Sequence, residues 1–215
     1  RLASNPDRKE TRMRAGILAL ILGLIAGSTQ AQVKSTVDRS WQLRIAAGWQ
    51  DFNGGAEDTT TSVNIEVRPS NSIGFELGLA RRWDAWEGRL DLGYARGSLY
   101  GESNDAAIKD KTTRSLRLRA SFTIARRIVS FEGSRLQLEA GPTFDYWDTE
   151  TLSQRGSVGG RVGLSLLMPL GGMILENNVG LGISASPFSE NDIPAGARMK
   201  TFTTFSVGAG LRLPL

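Results

Sequence analysis

The chain has 215 residues, with 26 Lys and Arg against 22 Asp and Glu, and it contains neither His nor Cys. The missing imidazole and thiol exclude Ser-His-Asp and Cys-His nucleophile systems, and they leave only oxygen ligands for a metal. Without cysteine, an exported chain of this size has to hold itself together by hydrogen-bonded closure or packing and not by disulfides.

Residues 1–31 read as a leader. Met13 and Arg14 precede a 13-residue apolar run from Ala15 to Gly27, and Ser28-Thr-Gln-Ala31 follows. A positive start, an apolar stretch short of the roughly 20 residues of a spanning helix, and a small-residue cleavage site make up a secretory signal peptide. Cleavage after Ala31, with Thr29 at minus three, starts the mature chain at Gln32; Arg1 to Arg12 are expected to be untranslated sequence ahead of Met13. The leader takes five of the 26 basic and two of the 22 acidic residues, which leaves 21 against 20 in a mature chain of 184 residues. The high pI is then largely a leader effect, and no nucleic-acid partner is expected. Residues 32–215 suit one domain. No mature segment approaches a 20-residue apolar run, so membrane insertion would have to use strands.

Trp41 to Trp49 carries Trp, Leu, Ile, Ala and Trp at odd positions and Gln, Arg, Ala and Gly at even ones. Strict period 2 predicts an extended strand with one apolar and one polar face. Its length spans about 20 Å along the normal at a tilt near 40°, which puts an indole at each end of a membrane apolar band. Phe52 to Ser62 then reads as a polar loop, followed by a short alternation at Val63, Ile65 and Val67. Ile73, Phe75, Leu77, Leu79 and Trp83 share the apolar face of the next strand, Asp84-Ala85 is a tight turn, and Trp86, Leu90, Leu92 and Tyr94 return. Trp41, Trp49, Trp83 and Trp86 are the expected interface girdle.

Gly101 to Thr113 reads as a solvated loop. Leu116 to Ile124 and Leu136 to Tyr146 are alternating strands joined by a turn within Arg126 to Ser134, and Asp148 to Arg155 is a further polar loop. Val158 to Met168 and Leu175 to Ile183 are joined by Pro169-Leu-Gly-Gly172. Ser186 to Lys200 is the last long loop, and Thr201 to Leu213 the last strand. Nine alternating segments result, whereas bacterial single-chain barrels have even strand numbers. Long and short connections alternate in phase only if residues 61–72 belong to the first outer loop, as a β extension above the membrane. The expected architecture is therefore all-β, an eight-stranded antiparallel up-and-down transmembrane barrel.

The polar face is rich in glycine and carries both charge signs. Arg44, Arg82, Arg89, Arg117, Arg119, Arg161 and Arg212 stand against Glu76, Glu87, Asp91, Glu139, Asp145 and Glu176. Small residues fit the narrow interior of an eight-stranded barrel, and mixed charges can pair there, so the polar face is expected to line the lumen and the apolar face to meet lipid. The opposite arrangement is a soluble cup with a Leu-rich interior.

On these residues Gln32 to Leu215 resembles the small OmpA-, OmpX- and OmpW-type outer-membrane barrels. Gly210-Leu-Arg-Leu-Pro-Leu215 resembles their assembly signal, departing from it in the terminal Leu215 and in Pro214. The resemblance implies a bacterial outer-membrane location, contacts with lipid and lipopolysaccharide, help from the barrel-assembly machinery during insertion, and a monomer. Barrels of this kind that act as lipid A deacylases, palmitoyl transferases, phospholipases or omptin proteases rely on a His, which this chain lacks. Glu87 and Asp91 are the nearest approach to an acid–base pair, and both read foremost as partners for lumen arginines on neighbouring strands. The acidic loop residues Glu57, Asp58, Glu102, Asp105, Glu190 and Asp192 suit divalent cations or simple solvation, with no EF-hand spacing. No cofactor, metal site or catalytic residue is expected. The implied function is structural or surface-interacting and non-enzymatic; the alternative is narrow passive transport of small solutes, which an apolar cavity near Leu167 and Ile174 would favour.

Overall fold

The computed structural model describes residues 41–58, 65–103, 107–150, 153–188 and 198–215, so the leader expected at 1–31 lies outside it. Among the described residues eleven strands form: β1 (Trp41–Asn53), β2 (Ala56–Asp58), β3 (Ile65–Pro69), β4 (Ser72–Trp83), β5 (Trp86–Ser103), β6 (Ala107–Phe131), β7 (Ser134–Thr149), β8 (Arg155–Leu170), β9 (Met173–Ser184), β10 (Arg198–Met199) and β11 (Phe202–Pro214). Eight of them, β1, β4, β5, β6, β7, β8, β9 and β11, pair antiparallel in that order, and β11 returns to β1 to close the barrel. β3 pairs with the far end of β5, Ile65 opposite Ser103 and Pro69 opposite Leu99. β2 and β10 continue that sheet outward, so the short alternation after the first strand stands above the barrel and is not a ninth stave.

The register fixes the dimensions. Stepping from Trp41 across one strand after another, through Arg81, Gly88, Ile124, Ala140, Val162, Leu181 and Phe205, returns to β1 at Asp51, ten residues up the strand. Eight strands with that shear tilt by about 40° and give a radius of about 8 Å, so each residue climbs roughly 2.5 Å along the axis. Trp83 and Trp86 then lie within about 2 Å of the level of Trp41, and Trp49 about 20 Å above it. Three of the four girdle indoles therefore share the rim of the short turns. Trp49 sits at the other rim, edge-on to Phe205 with ring centroids 6.2 Å apart.

Alternation sorts the faces. Leu92 is 62% exposed and its chain neighbour Asp91 2%, and the same contrast recurs at Leu138 and Glu139. The apolar residues face outward and the polar ones are buried inside, which removes the soluble-cup arrangement.

Several connections are tighter than the sequence suggests. Strand β1 runs on to Asn53, so Phe52 is an inward strand residue and not the start of a loop. The stretch 101–113 is largely strand: β5 reaches Ser103, β6 begins at Ala107, and their register shifts between Ser98 and Leu99. The turn sought within 126–134 is only Glu132-Gly133, with φ of 46° and 81°, because two residues of positive φ match the twist of a hairpin. A register shift between Arg127 and Val129 keeps Val129 and Leu136 paired on the outside, which the plain alternation hid. Pro169 and Leu170 belong to β8, leaving Gly171-Gly172 as the turn, and Asp148, Thr149 and Arg155 likewise belong to strands. Within 186–200, Arg198–Met199 form β10.

Candidate functional site: the filled lumen

Each lumen charge sits at a position that the pleat turns inward, and neighbours in space come from strands far apart in sequence. At the end near the short turns, Glu176 of β9 is the centre. Its Oε2 accepts from Arg44 Nε at 3.0 Å and Arg212 Nε at 2.7 Å, and its Oε1 accepts from Arg89 Nη1 at 2.9 Å. Arg212 also donates from Nη1 to Glu87 Oε1 at 2.7 Å, and Glu87 Oε2 takes Arg82 Nη2 at 3.4 Å and Gln137 Nε2 at 3.5 Å. Arg44 Nη1 reaches Glu76 Oε2 at 2.7 Å and Asp91 Oδ1 at 3.2 Å. Glu139 links this knot to the next level: its Oε2 accepts from Arg89 Nη2 and from Ser165 Oγ, and its Oε1 from Arg161 Nη2 at 2.9 Å. Nearer the loops, Asp145 receives two arginines, Arg117 through Nε and Nη2 at 2.9 Å each, and Arg119 through Nε at 2.8 Å and Nη2 at 3.2 Å. The fork of a guanidinium matches both oxygens of a carboxylate, so each such contact fixes orientation as well as distance.

Above Asp145 the chemistry changes from charge to aromatic surface. Phe52, Trp147 and Phe202 are buried together. Phe52 stacks on Phe202 at 5.5 Å, and Trp147 meets Phe52 and Phe202 edge-on at 5.7 and 5.4 Å. Arg117 lies under this group, 5.1 Å from the Trp147 ring centroid and 5.4 Å from that of Phe52. Beyond it, Ser186 Oγ donates to the Gly55 carbonyl at 2.8 Å, the Lys200 amide donates to the same oxygen at 3.0 Å, and Arg155 Nη1 donates to the Phe188 carbonyl. Gly55 has φ of 139°, and a Cβ there would run into the Val67 carbonyl oxygen and the Phe188 ring, so glycine is required. The cleft bounded by Gln50, Glu76, Gly93, Tyr94, Ala95, Arg117 and Arg119 holds about 10 Å³, roughly the space of a single water probe.

No protein-family model matches the chain, and no curated protein matches its sequence. Solved structures do match its shape. Outer membrane protein AlkL, determined in lipid bilayers, superposes with a TM-score of 0.53 at 15% identity over 87% of this chain and 96% of that one. Neisserial surface protein A superposes with a TM-score of 0.51 at 11% identity over 81% and 96%. This chain has the fold of the small eight-stranded outer-membrane barrels. At that identity the likeness concerns the fold alone.

In this outer-membrane-type barrel the structure brings Arg44, Glu76, Arg82, Glu87, Arg89, Asp91, Arg117, Arg119, Glu139, Arg161, Glu176 and Arg212 into one lumen. Glu87 and Asp91, the carboxylates weighed for acid–base work, are both engaged by arginines. Leu167 points inward and is 2% exposed, its Cα opposite those of Arg135 and Glu176, so that position is packed and not hollow. The side chains of Glu57, Asp58, Glu102, Asp105, Glu190 and Asp192 lie outside the described ones. No group of metal-ligating side chains occurs among the described residues. Sequence reading missed the aromatic cap. Its signal was parity: Phe52, Trp147 and Phe202 fall on the same alternate positions as the lumen charges of their strands.

Proposed function

We propose that the mature chain is an outer-membrane barrel with a structural or surface-interacting role and no catalytic activity. One observation carries this reading: arginine–carboxylate contacts run through the lumen from Arg82 to Arg119, and the aromatic cap closes it above. A lumen filled in this way leaves the outer surface and the loops as the parts free to meet other molecules. The short turns and both ends of the described barrel share one rim, which faces the periplasm in this reading. The long connections and the β2–β3–β10 sheet then face outward, where lipopolysaccharide or host and partner surfaces lie. The absence of His and Cys and the engagement of the lumen carboxylates support a non-enzymatic role. The signal peptide, with Gln32 as the mature N-terminus, and assembly through the C-terminal strand belong to the same reading.

Planar-bilayer recording of the refolded mature chain tests it. Silence or rare small events are expected. Steady conductance of nanosiemens size refutes a filled lumen and favours narrow passive transport. Fractionation supplies the membrane arm of the test, since a chain that stays monomeric in buffer without detergent cannot present its Leu and Trp belt to lipid.

A further inference from the structure

Between the rim marked by Arg81 and Arg126 and the rim marked by Trp49 and Tyr94, every outward-facing residue of the eight strands is apolar or glycine except one. That one is Asn177 on β9. It lies opposite Leu166 of β8 and Ala209 of β11, about 9 Å above the level of Trp41, well inside the apolar belt. Its side-chain amide has no hydrogen-bond partner among the described residues. A carboxamide facing hydrocarbon finds no water there, and it stays costly until another polar group meets it. The surface beside it is shaped for close approach: Asn177, Ala209 and Ala47 are successive cross-strand neighbours, and both alanines are exposed and present only a methyl group.

We propose that this face, centred on Asn177, is where two copies of the chain pair within the membrane. A carboxamide is both donor and acceptor, so it is complementary to itself. Two copies inserted in the same direction are related by a two-fold axis along the membrane normal, and such an axis passing beside Asn177 brings each amide onto its counterpart. The Ala47 and Ala209 notch lets the barrel walls close around that contact, with Leu211 and Val179 at its edge. Small residues around one polar contact are what holds membrane segments together where no hydrophobic driving force exists between them. The depth argues against the acyl amides of lipopolysaccharide as the partner, because Asn177 lies in the half of the belt nearer the short turns. The proposal rests on the membrane reading above, and it replaces the monomer implied by the family resemblance.

The chain has no cysteine, so single thiols report contacts directly. The full chain carrying Asn177→Cys is expressed into a bacterial outer membrane and oxidised in situ, beside Leu90→Cys, four strands round the barrel at a similar depth. A disulfide-linked dimer is expected from Asn177→Cys and only monomer from Leu90→Cys. Sedimentation of the thiol-free chain in detergent should show a dimer that Asn177→Leu dissociates and Asn177→Gln retains. Equal cross-linking from both thiols, cross-linking of Asn177→Cys to a different protein, or a monomer unaffected by Asn177→Leu overturns the proposal and leaves the membrane reading standing. Recovery of the wild type in the detergent-free soluble fraction overturns both.

Discussion

The two ends of the lumen are sealed by different chemistry. Near the turns, Glu176 is fully buried and holds Arg44, Arg89 and Arg212, arriving from β1, β5 and β11. Near the loops, Asp145 holds two arginines, and one of them lies against Trp147 and Phe52. The lower knot thus gathers three guanidiniums on one carboxylate, and each of them also meets a second: Glu76 and Asp91 for Arg44, Glu139 for Arg89, Glu87 for Arg212. At the upper end, aromatic rings share the load and shut out water. The difference teaches that a narrow barrel can stopper itself either with paired charge, which specifies which strands meet, or with apolar surface, which specifies little but excludes solvent. The charged knot is therefore expected to control assembly, and the cap to control access.

Glu176→Ala tests the knot most severely, because it leaves three buried guanidiniums around an empty site. Breaking a buried pair costs about 3–5 kcal/mol, and a shift of that size, or outright failure to form the heat-resistant folded band in gel electrophoresis, is expected. Glu176→Gln, which keeps the shape and loses the charge, should fall in the same direction; full stability in both variants would make the knot dispensable. Trp147→Ala probes the cap. Removing a buried Trp costs about 3 kcal/mol or more, yet the charges below stay paired, so the barrel should still fold while Arg117 becomes accessible to an arginine-modifying reagent. No gain of labelling over wild type would mean that water already reaches Arg117.

Asp145→Asn comes next, with a loss of about 2 kcal/mol expected for a buried charge-assisted contact, because Arg117 keeps Gln50 and the rings of Phe52 and Trp147. Equilibrium unfolding in urea within lipid vesicles measures it, and a loss matching Glu176→Ala would erase the contrast between the ends. The smallest effect belongs to the rim of the short turns, where Arg126 lies 5.3 Å from the Trp86 ring centroid and Arg81 5.3 Å from that of Trp41. Arg126→Gln should cost about 0.5–1 kcal/mol, the value of an exposed cation–π contact, with no change in lumen labelling. A larger loss would show that the rim, too, specifies assembly.

The same contrast explains what could be read from the chain alone. Period 2 exposes the strands, the tight turn at Asp84-Ala85 and the inward charges, because a pleated strand turns every second side chain to one face whatever it pairs with. Alternation is blind to residue chemistry once the inward phase is occupied by something apolar, and Phe52 in a Gly-rich context therefore looks like a loop. It is equally blind to an inserted residue, as at the register shift past Arg127.

By itself, then, the sequence determined the all-β class, the eight-strand count through the rhythm of its connections, and the division into a polar and an apolar face. Tertiary structure alone decided which arginine meets which carboxylate and that three aromatic residues from β1, β7 and β11 converge. The reason lies in closure. Side-chain direction is a local property of each strand, but which strands face one another across the lumen follows from the ten-residue shear accumulated around the whole barrel, and no single segment contains it.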